Sequence, residues 1–426
     1  MMWFKKYQDL FLVKLFSVNS LGVILRSVLA IISQKIIAIF LGPDGIALMG
    51  NLKNALALFG MASSAGVDQG VVKYQAKLEN RRGLLQKLYS TSLAYSLLGS
   101  VIVFLILFFG ATFWSNYLLK TSNYNYLFKI LSFTLPFTAI YNLCFSIING
   151  KSNYIKATVL SFSTYTLSSL LVIFLVSYYQ LSGGVLAVIL TPILHLLGLL
   201  IFAKEEVVLL LKARIKFCKI FKIKLGGFLV MSFTAVVLSN LVDIQLRNYL
   251  INKLTTEDAG YWTSMSSLSS YYLSFMAGVY SLYVLPRYAK IEKYSNYISE
   301  LIHILKFILP VFIILFIGMY FFRITIIKLL YTEEFLPMQR LFKWQLIGDF
   351  VKIISVVMAY KLISKNKWKL FIATEVVSYL LLYVLGVYYI EKNGVEGIVF
   401  AHFLRYLLYL IIIHFSVKSV FNRSKK

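Results

Sequence analysis

The chain has 426 residues, 59% of them hydrophobic and only 14% charged, with a mean hydropathy of +0.78; soluble domains carry roughly 25% charged residues, so a water-soluble globular protein is excluded. Six prolines and 23 glycines, together with apolar runs of ~20 residues, exclude an outer-membrane barrel and leave room for about twelve helical crossings with short connections. The formal charge of +26 comes from 43 Lys and Arg against 17 Asp and Glu, and its meaning depends on where those charges fall.

The N-terminal stretch MMWFKKYQDLFLVKLF has a basic start but no small-residue cleavage site, and Lys14 and Arg26 interrupt its apolar part, so it is expected to be retained. Apolar runs bounded by charge or turn clusters predict helices near 16–41, 45–72, 89–112, 127–149, 155–178 and 183–202. Six more are predicted near 225–250, 259–285, 301–322, 341–361, 369–390 and 394–417. Alternate connections differ sharply in charge. One set, including both termini, holds 27 Lys and Arg and the other holds six. That bias places both termini in the cytoplasm and makes most of the positive charge a topology signal rather than a nucleic-acid footprint. Cys144 and Cys218 have no Cys or His at ligand spacing, so neither a disulfide nor a metal site is expected.

Three regions are expected: 1–202 as an N-terminal six-helix lobe, 203–224 as a cytoplasmic linker and 225–426 as a C-terminal six-helix lobe. The linker, AKEEVVLLLKARIKFCKIFKIK, is basic and amphipathic with Lys212, Lys216 and Lys219 at helical spacing. It suits either a solvated connection or an anchor on anionic lipid. A shift of 214 residues superposes Asp44 on Asp258, Tyr74 on Tyr288, Leu127-Phe128-Lys129 on Leu341-Phe342-Lys343 and Lys151 on Lys365. The fold class expected is therefore an all-α polytopic membrane protein of twelve transmembrane helices, in two lobes related by a pseudo-two-fold axis along the membrane normal. Paired repeats of this kind suit substrate binding near the midplane and alternating access; an old duplication without transport is the alternative.

Ten basic residues fall inside predicted helices: Lys14, Arg26, Lys35, Lys53, Lys129, Arg247, Lys306, Lys343, Lys352 and Arg405. Asp68, Asp243, Asp349 and Glu375 join them. A lipid-facing charge at a helix centre costs on the order of 2.5–3.5 kcal/mol, so those that cannot snorkel need partners or water. Asp243 and Arg247 (i,i+4) and Asp349 and Lys352 (i,i+3) are candidate pairs. Arg26, Lys35 and Lys53 have no acid nearby in the first two helices. Asn19, Gly22, Ala30 and Ser33 form a small polar stripe around Arg26, and Gly50, Lys53, Asn54, Ala57, Ser64 and Asp68 form one on the second helix. Both are expected to line a wet cavity, although Arg26 bonded to backbone carbonyls at a helix contact is the alternative. Such cations suit an anionic cargo, phosphate oxygens above all. Tyr271, Tyr272 and Tyr280, beside a Ser-rich run, are candidate sugar contacts.

LGPDGIALMGNLKNALALFGMASSAGVDQGVVKY (41–74), LFKWQLIGDFVKI (341–353) and VLPRYAKI (284–291) resemble the corresponding segments of Wzx-type polysaccharide repeat-unit flippases, particularly the enterobacterial common antigen branch. The resemblance spans essentially the whole chain. It implies the multidrug/oligosaccharidyl-lipid/polysaccharide exporter fold and transfer of undecaprenyl-pyrophosphate-linked oligosaccharide from the cytoplasmic to the periplasmic leaflet of the bacterial inner membrane. Related flippases place basic residues where Arg26 and Lys53 stand, and relatives have arginine at the latter, so charge attraction is implied there rather than bidentate capture. Together with the charge pattern, this gives Arg26, Lys35 and Lys53 as pyrophosphate contacts, with no bond made or broken. Asp68, Asp349 and Glu375 are expected to carry any proton or sodium coupling, and a polysaccharide polymerase and a chain-length regulator are the expected protein partners. No cofactor is expected. An organic-cation antiporter would present acids instead of these bases, and a polymerase or ligase would need a larger outward loop. No HExxH, GxSxG or P-loop is present, and His195, His303, His402 and His414 are scattered, although His402 and Arg405 share a helix face.

Overall fold

The computed structural model describes the backbone of residues 2–79 and 81–423. It describes their side chains apart from those of residues 2–24, 231, 233, 235, 277, 281, 282 and 423. Among the described residues every regular element is a helix. In chain order these are α1 (Met2–Ser63), α2 (Asp68–Lys77), α3 (Arg82–Phe109), α4 (Ala111–Leu119), α5 (Asn125–Gly150), α6 (Tyr154–Phe202), α7 (Lys204–Leu211) and α8 (Lys219–Lys253). They are followed by α9 (Thr256–Val279), a π-helical turn (Tyr280–Val284), α10 (Leu285–Lys290), α11 (Tyr294–Phe321), α12 (Arg323–Leu330), a 3-10 stretch (Glu333–Leu341), α13 (Phe342–Ser364), α14 (Trp368–Asn393) and α15 (Val395–Arg423).

Two of these helices are really pairs. Gly42, at φ 61° and ψ −167°, breaks α1 just before Pro43, whose fixed φ and missing N–H suit the first position of a new helix. Gln180, at φ 50° and ψ −130°, breaks α6. Counting these breaks, the described residues contain twelve long helical stretches. The chain is thus a multi-pass membrane protein, and seven of its helices satisfy length and apolarity for crossing even by a strict test. Large apolar side chains stand outward where a soluble protein would place charge; Phe307 and Ile314 on α11 are 81% and 74% exposed. A helix satisfies the amides of its interior within its own segment, as a bilayer requires.

The apolar run predicted as one helix over 45–72 is interrupted. α1 ends at Ser63, Ala65 and Gly66 take φ of 52° and 61°, and α2 begins at Asp68. A left-handed pair cannot continue a right-handed helix, so Asp68 does not lie on the same continuous face as Lys53. The short helices α4 and α12 and the 3-10 stretch are additions that hydropathy does not predict.

Two compact units emerge. The first comprises the chain up to Phe40 together with Asn51–Leu241; the second comprises Leu41–Gly50 and the chain from Val242 onward. The division at Leu241 leaves residues 203–224 and the first half of α8 packed with the first unit. Around α5, Leu143, Cys144, Ile147 and Ile148 join Val71 of α2, Leu88 of α3, Leu160 and Leu199 of α6 and Leu225 of α8 in one buried cluster. α7 is tied down by Glu206, 2% exposed, which accepts from Lys151 Nζ at 2.9 Å and Lys156 Nζ at 2.7 Å. In the second unit α15 packs along α13 and α14, and α10 and α11 pack on α13. Gly260 lets the Pro43 carbonyl approach within 2.1 Å of where a Cβ would sit.

The 214-residue duplication is visible in backbone geometry. α3, α4, α5 and α6 recur as α11, α12, α13 and the α14–α15 pair. Gln180 falls on Gly394, at φ 60° and ψ −144°. Ser152, at φ 57°, falls on Asn366, at φ 56°.

Candidate functional site

In the first unit the basic residues of α1 occupy a partly accessible face. Arg26 and Lys35 are half-buried, Lys53 is exposed, Asn54 is half-buried and Ser33 is buried. The Ser33 hydroxyl has no hydrogen-bond partner among the described residues. Lys53 makes no ion pair among the described residues. Asn19 lies outside the residues whose side chains are described. Arg26 stands within electrostatic reach of Tyr141 on α5 and Tyr165 on α6. The Tyr141 hydroxyl lies 3.2 Å from Thr164 Oγ1, and its ring stacks on His195 at 4.3 Å and 18°. His195 Nδ1 is buried with no hydrogen-bond partner among the described residues. These neighbours were not singled out from the sequence, because an aromatic residue in an apolar run reads equally well as core or interfacial belt.

Ser64 is fully buried and donates to Asp68 Oδ2 at 2.9 Å, so those two polar residues meet at the break rather than along a helix face. Gly50, read from the sequence as part of a cavity stripe, instead serves a close helix contact in the second unit. A Cβ there would lie 2.7 Å from Thr263 Cγ2 and 3.1 Å from Arg247 Cζ. The buried Arg247 donates from Nε to Thr263 Oγ1 at 2.8 Å and lies 5.4 Å from the Trp262 ring, with Asp243 within electrostatic reach.

The densest polar assembly is in the second unit. Asp349 of α13 is fully buried and accepts on Oδ2 from Ser269 Oγ at 2.6 Å, Tyr272 OH at 2.5 Å and Gln345 Nε2 at 3.1 Å. His402 Nε2 of α15 lies 3.0 Å from its Oδ1. The expected partner Lys352 is within electrostatic reach of Asp349 but makes no ion pair with it among the described residues; its Nζ lies 5.5 Å from the Tyr406 ring. The cause is Gly348, where a Cβ would come within 2.7 Å of His402 Cδ2 and 3.2 Å of Phe403 Cα. Without a side chain there, α15 comes close enough to deliver the imidazole. Sequence reasoning noticed His402 but had no means to bring it to Asp349.

Arg405 is buried, donates from Nε to Ser378 Oγ at 2.8 Å and sits 4.2 Å from the Tyr379 ring and 4.7 Å from that of Tyr406. Glu375 accepts from Tyr409 OH at 2.6 Å and lies within electrostatic reach of Arg405. The three tyrosines suggested as sugar contacts divide. Tyr271 is half-buried, Tyr272 is buried with its hydroxyl committed to Asp349, and Tyr280 is buried with its ring 5.0 Å from that of Tyr360. Against α11 and α13 lies an apolar groove of about 510 Å³, floored by Phe316 and rimmed by Lys343; the Phe316 ring is 5.3 Å from that of Tyr272.

Arg26, Lys35 and Lys53 thus form a partly accessible cationic face on the apolar span of α1. The family described as polysaccharide biosynthesis protein matches residues 36–340. The chain belongs to that family. The match takes in Lys53, Tyr141, Tyr165, His195, Ser269 and Tyr272, whereas Arg26, Lys35, Gln345, Asp349 and His402 lie outside it. The Lipid III flippase of Escherichia coli (strain K12) is 27% identical over 380 residues, covering 88% of this chain and 90% of that protein. Among solved structures, an inward-facing multidrug resistance MATE family transporter of the MOP superfamily aligns with a TM-score of 0.73 at 14% identity. It covers 95% of this chain and 99% of its own. The Lipid II flippase MurJ, in an inward closed conformation, aligns with a TM-score of 0.71 at 16% identity over 95% of this chain and 87% of its own. The chain therefore shares the fold of these transporters.

Proposed function

We propose that the protein is a flippase that turns undecaprenyl-pyrophosphate-linked oligosaccharide from the cytoplasmic to the periplasmic leaflet of a bacterial inner membrane, with both termini cytoplasmic. The observation that carries this reading is the cationic face of α1. Arg26, Lys35 and Lys53 lie within or beside an apolar span, and Lys53 is exposed there without an ion-pair partner among the described residues. A charge so placed is favourable only beside water or an anion. Pyrophosphate is the anionic group of the proposed cargo, and guanidinium and ammonium groups suit its oxygens. Membership of a polysaccharide biosynthesis family and likeness to a Lipid III flippase support a lipid-linked glycan over a free anion. The MATE likeness is one of fold, and an organic-cation cargo would be repelled by this face.

In the proposed cycle Arg26, Lys35 and Lys53 hold the pyrophosphate, while Asn19, Ser33 and Asn54 offer hydrogen bonds to the glycan. The polyprenyl chain stays in lipid. Tyr141, Tyr165 and His195 extend that wall beside Arg26. Transfer breaks no bond, so the protein acts as a carrier and not as an enzyme; a polymerase and a chain-length regulator are its proposed partners. Replacing Arg26 by Ala is expected to abolish repeat-unit export in a strain lacking its own flippase, with membrane insertion unchanged. Wild-type export by R26A would remove Arg26 from the mechanism.

A further inference from the structure

The segment from Val208 to Lys224 carries a feature that transport does not use. Its aliphatic side chains point outward, with Leu211 79%, Ile215 62%, Ile220 47% and Ile223 79% exposed. They alternate with exposed Lys212, Arg214, Lys216, Lys219, Lys222 and Lys224. The segment is nevertheless held in place. The Cys218 amide donates to Thr91 Oγ1 at 3.1 Å, the Tyr95 hydroxyl donates to the Lys222 carbonyl at 2.9 Å, and Phe221 is buried with its ring 5.7 Å from Tyr74. The acids just before it are engaged elsewhere, Glu206 by Lys151 and Lys156, and Glu205 by Lys156 at 3.9 Å.

Within this surface two ammonium groups share one ring. Lys73 Nζ lies 6.0 Å and Lys224 Nζ 5.8 Å from the centroid of Tyr74. Phe228 lies 5.4 Å from the first, and Phe221 5.9 Å from the second. Neither lysine has an ion-pair partner among the described residues. Two exposed ammonium groups beside one aromatic ring attract an anion, and the flanking aliphatic residues call for hydrocarbon. An inorganic anion meets the first demand only.

We propose that Lys73 and Lys224 bind the phosphate of an anionic phospholipid, whose acyl chains lie against Leu211, Ile215, Ile220 and Ile223. The site is distinct from the cationic face of α1 and does not depend on what the protein transports. A phospholipid suits it better than the glycan cargo because the segment presents apolar residues and bases but no cluster of hydroxyl or amide groups for sugar.

Native mass spectrometry of the full-length protein, titrated with phosphatidylglycerol or phosphatidylcholine, tests this. Each basic residue near a membrane surface contributes about 1 kcal/mol, so K73Q/K224Q is expected to weaken the tightest phosphatidylglycerol by roughly thirtyfold. The control K367Q/K369Q, at the exposed start of α14, should leave it unchanged, and millimolar inorganic phosphate should not displace it. L211S/I223S, with both lysines kept, should weaken phosphatidylglycerol and phosphatidylcholine alike. Equal affinity of the parent and K73Q/K224Q for phosphatidylglycerol, or no preference of the parent for it over phosphatidylcholine, would overturn the proposal. Displacement by inorganic phosphate would make the site one for free anions, and displacement by equimolar polyprenyl pyrophosphate would make it a cargo entry site; either outcome sinks the phospholipid assignment. Failure of R26A to lose export would leave this result untouched.

Discussion

Gln180 occupies backbone space that suits glycine. At φ 50° and ψ −130° its Cβ crowds the chain, a conformation that costs non-glycine residues about 1–3 kcal/mol. Its counterpart in the duplication is Gly394. Gln180→Gly is therefore expected to stabilise the protein by about 1 kcal/mol, and Gly394→Gln to destabilise it by a similar amount. Thermal unfolding of the two purified variants beside the parent would check this, and a fall in midpoint for Q180G would show that the side chain of Gln180 makes up for its strain. At this same scale the sequence was least informative. Asp349 was identified as an intramembrane acid, but its four contacts come from α9, α13 and α15. Helical spacing sets Gln345 four residues before Asp349, but no spacing rule brings Ser269, Tyr272 and His402 to the same carboxylate. Lys352 was the charged neighbour that helical spacing could offer.

For single helices the sequence was far more legible, because a span of ~20 apolar residues is a physical requirement of the bilayer and leaves a long signal. What escaped were breaks and short pieces, such as the left-handed pair at Ala65 and Gly66 and the nine-residue α4, which hydropathy averages away. α7 gives the element-level prediction. Burial alone would push the Glu206 carboxyl up, but hydrogen bonds and attraction from Lys156 and Lys151 outweigh it and hold the group below its ordinary range. A depressed value means that the undocked carboxyl takes up a proton more readily than the docked one. The docking contribution is thus fully present above about pH 4.3 and is lost as the pH falls through the lowered value. A spin label at position 209, in a chain with Cys144 and Cys218 changed to serine, should be immobile at neutral pH and loosen in acid. E206Q should loosen it already at neutral pH, at a cost of about 1–2 kcal/mol for one buried charge-assisted partner. A label that is equally immobile in E206Q would show that apolar packing alone holds α7.

For the whole molecule, the buried acids and bases of the second unit form a connected set running from Ser269 and Tyr272 through Asp349 and His402. Arg405 and Glu375 stand nearby on α15 and α14. We expect transport to draw on a proton or sodium gradient through these acids and Asp68. Uptake of a lipid-linked glycan by inverted vesicles should fall to background when both gradients are collapsed; full activity without either gradient would limit the acids to a structural role. The duplication was legible from a handful of matching letters, and its depth became clear only in torsion angles. Gln180 and Gly394 share almost no chemistry, yet the chain bends the same way at both; Ser152 and Asn366 do likewise. Side-chain identity has drifted while the bend persisted, so the two halves keep a common ancestry as a sequence of hinge angles. Half-length relatives whose letters no longer align can be sought by that angular signature.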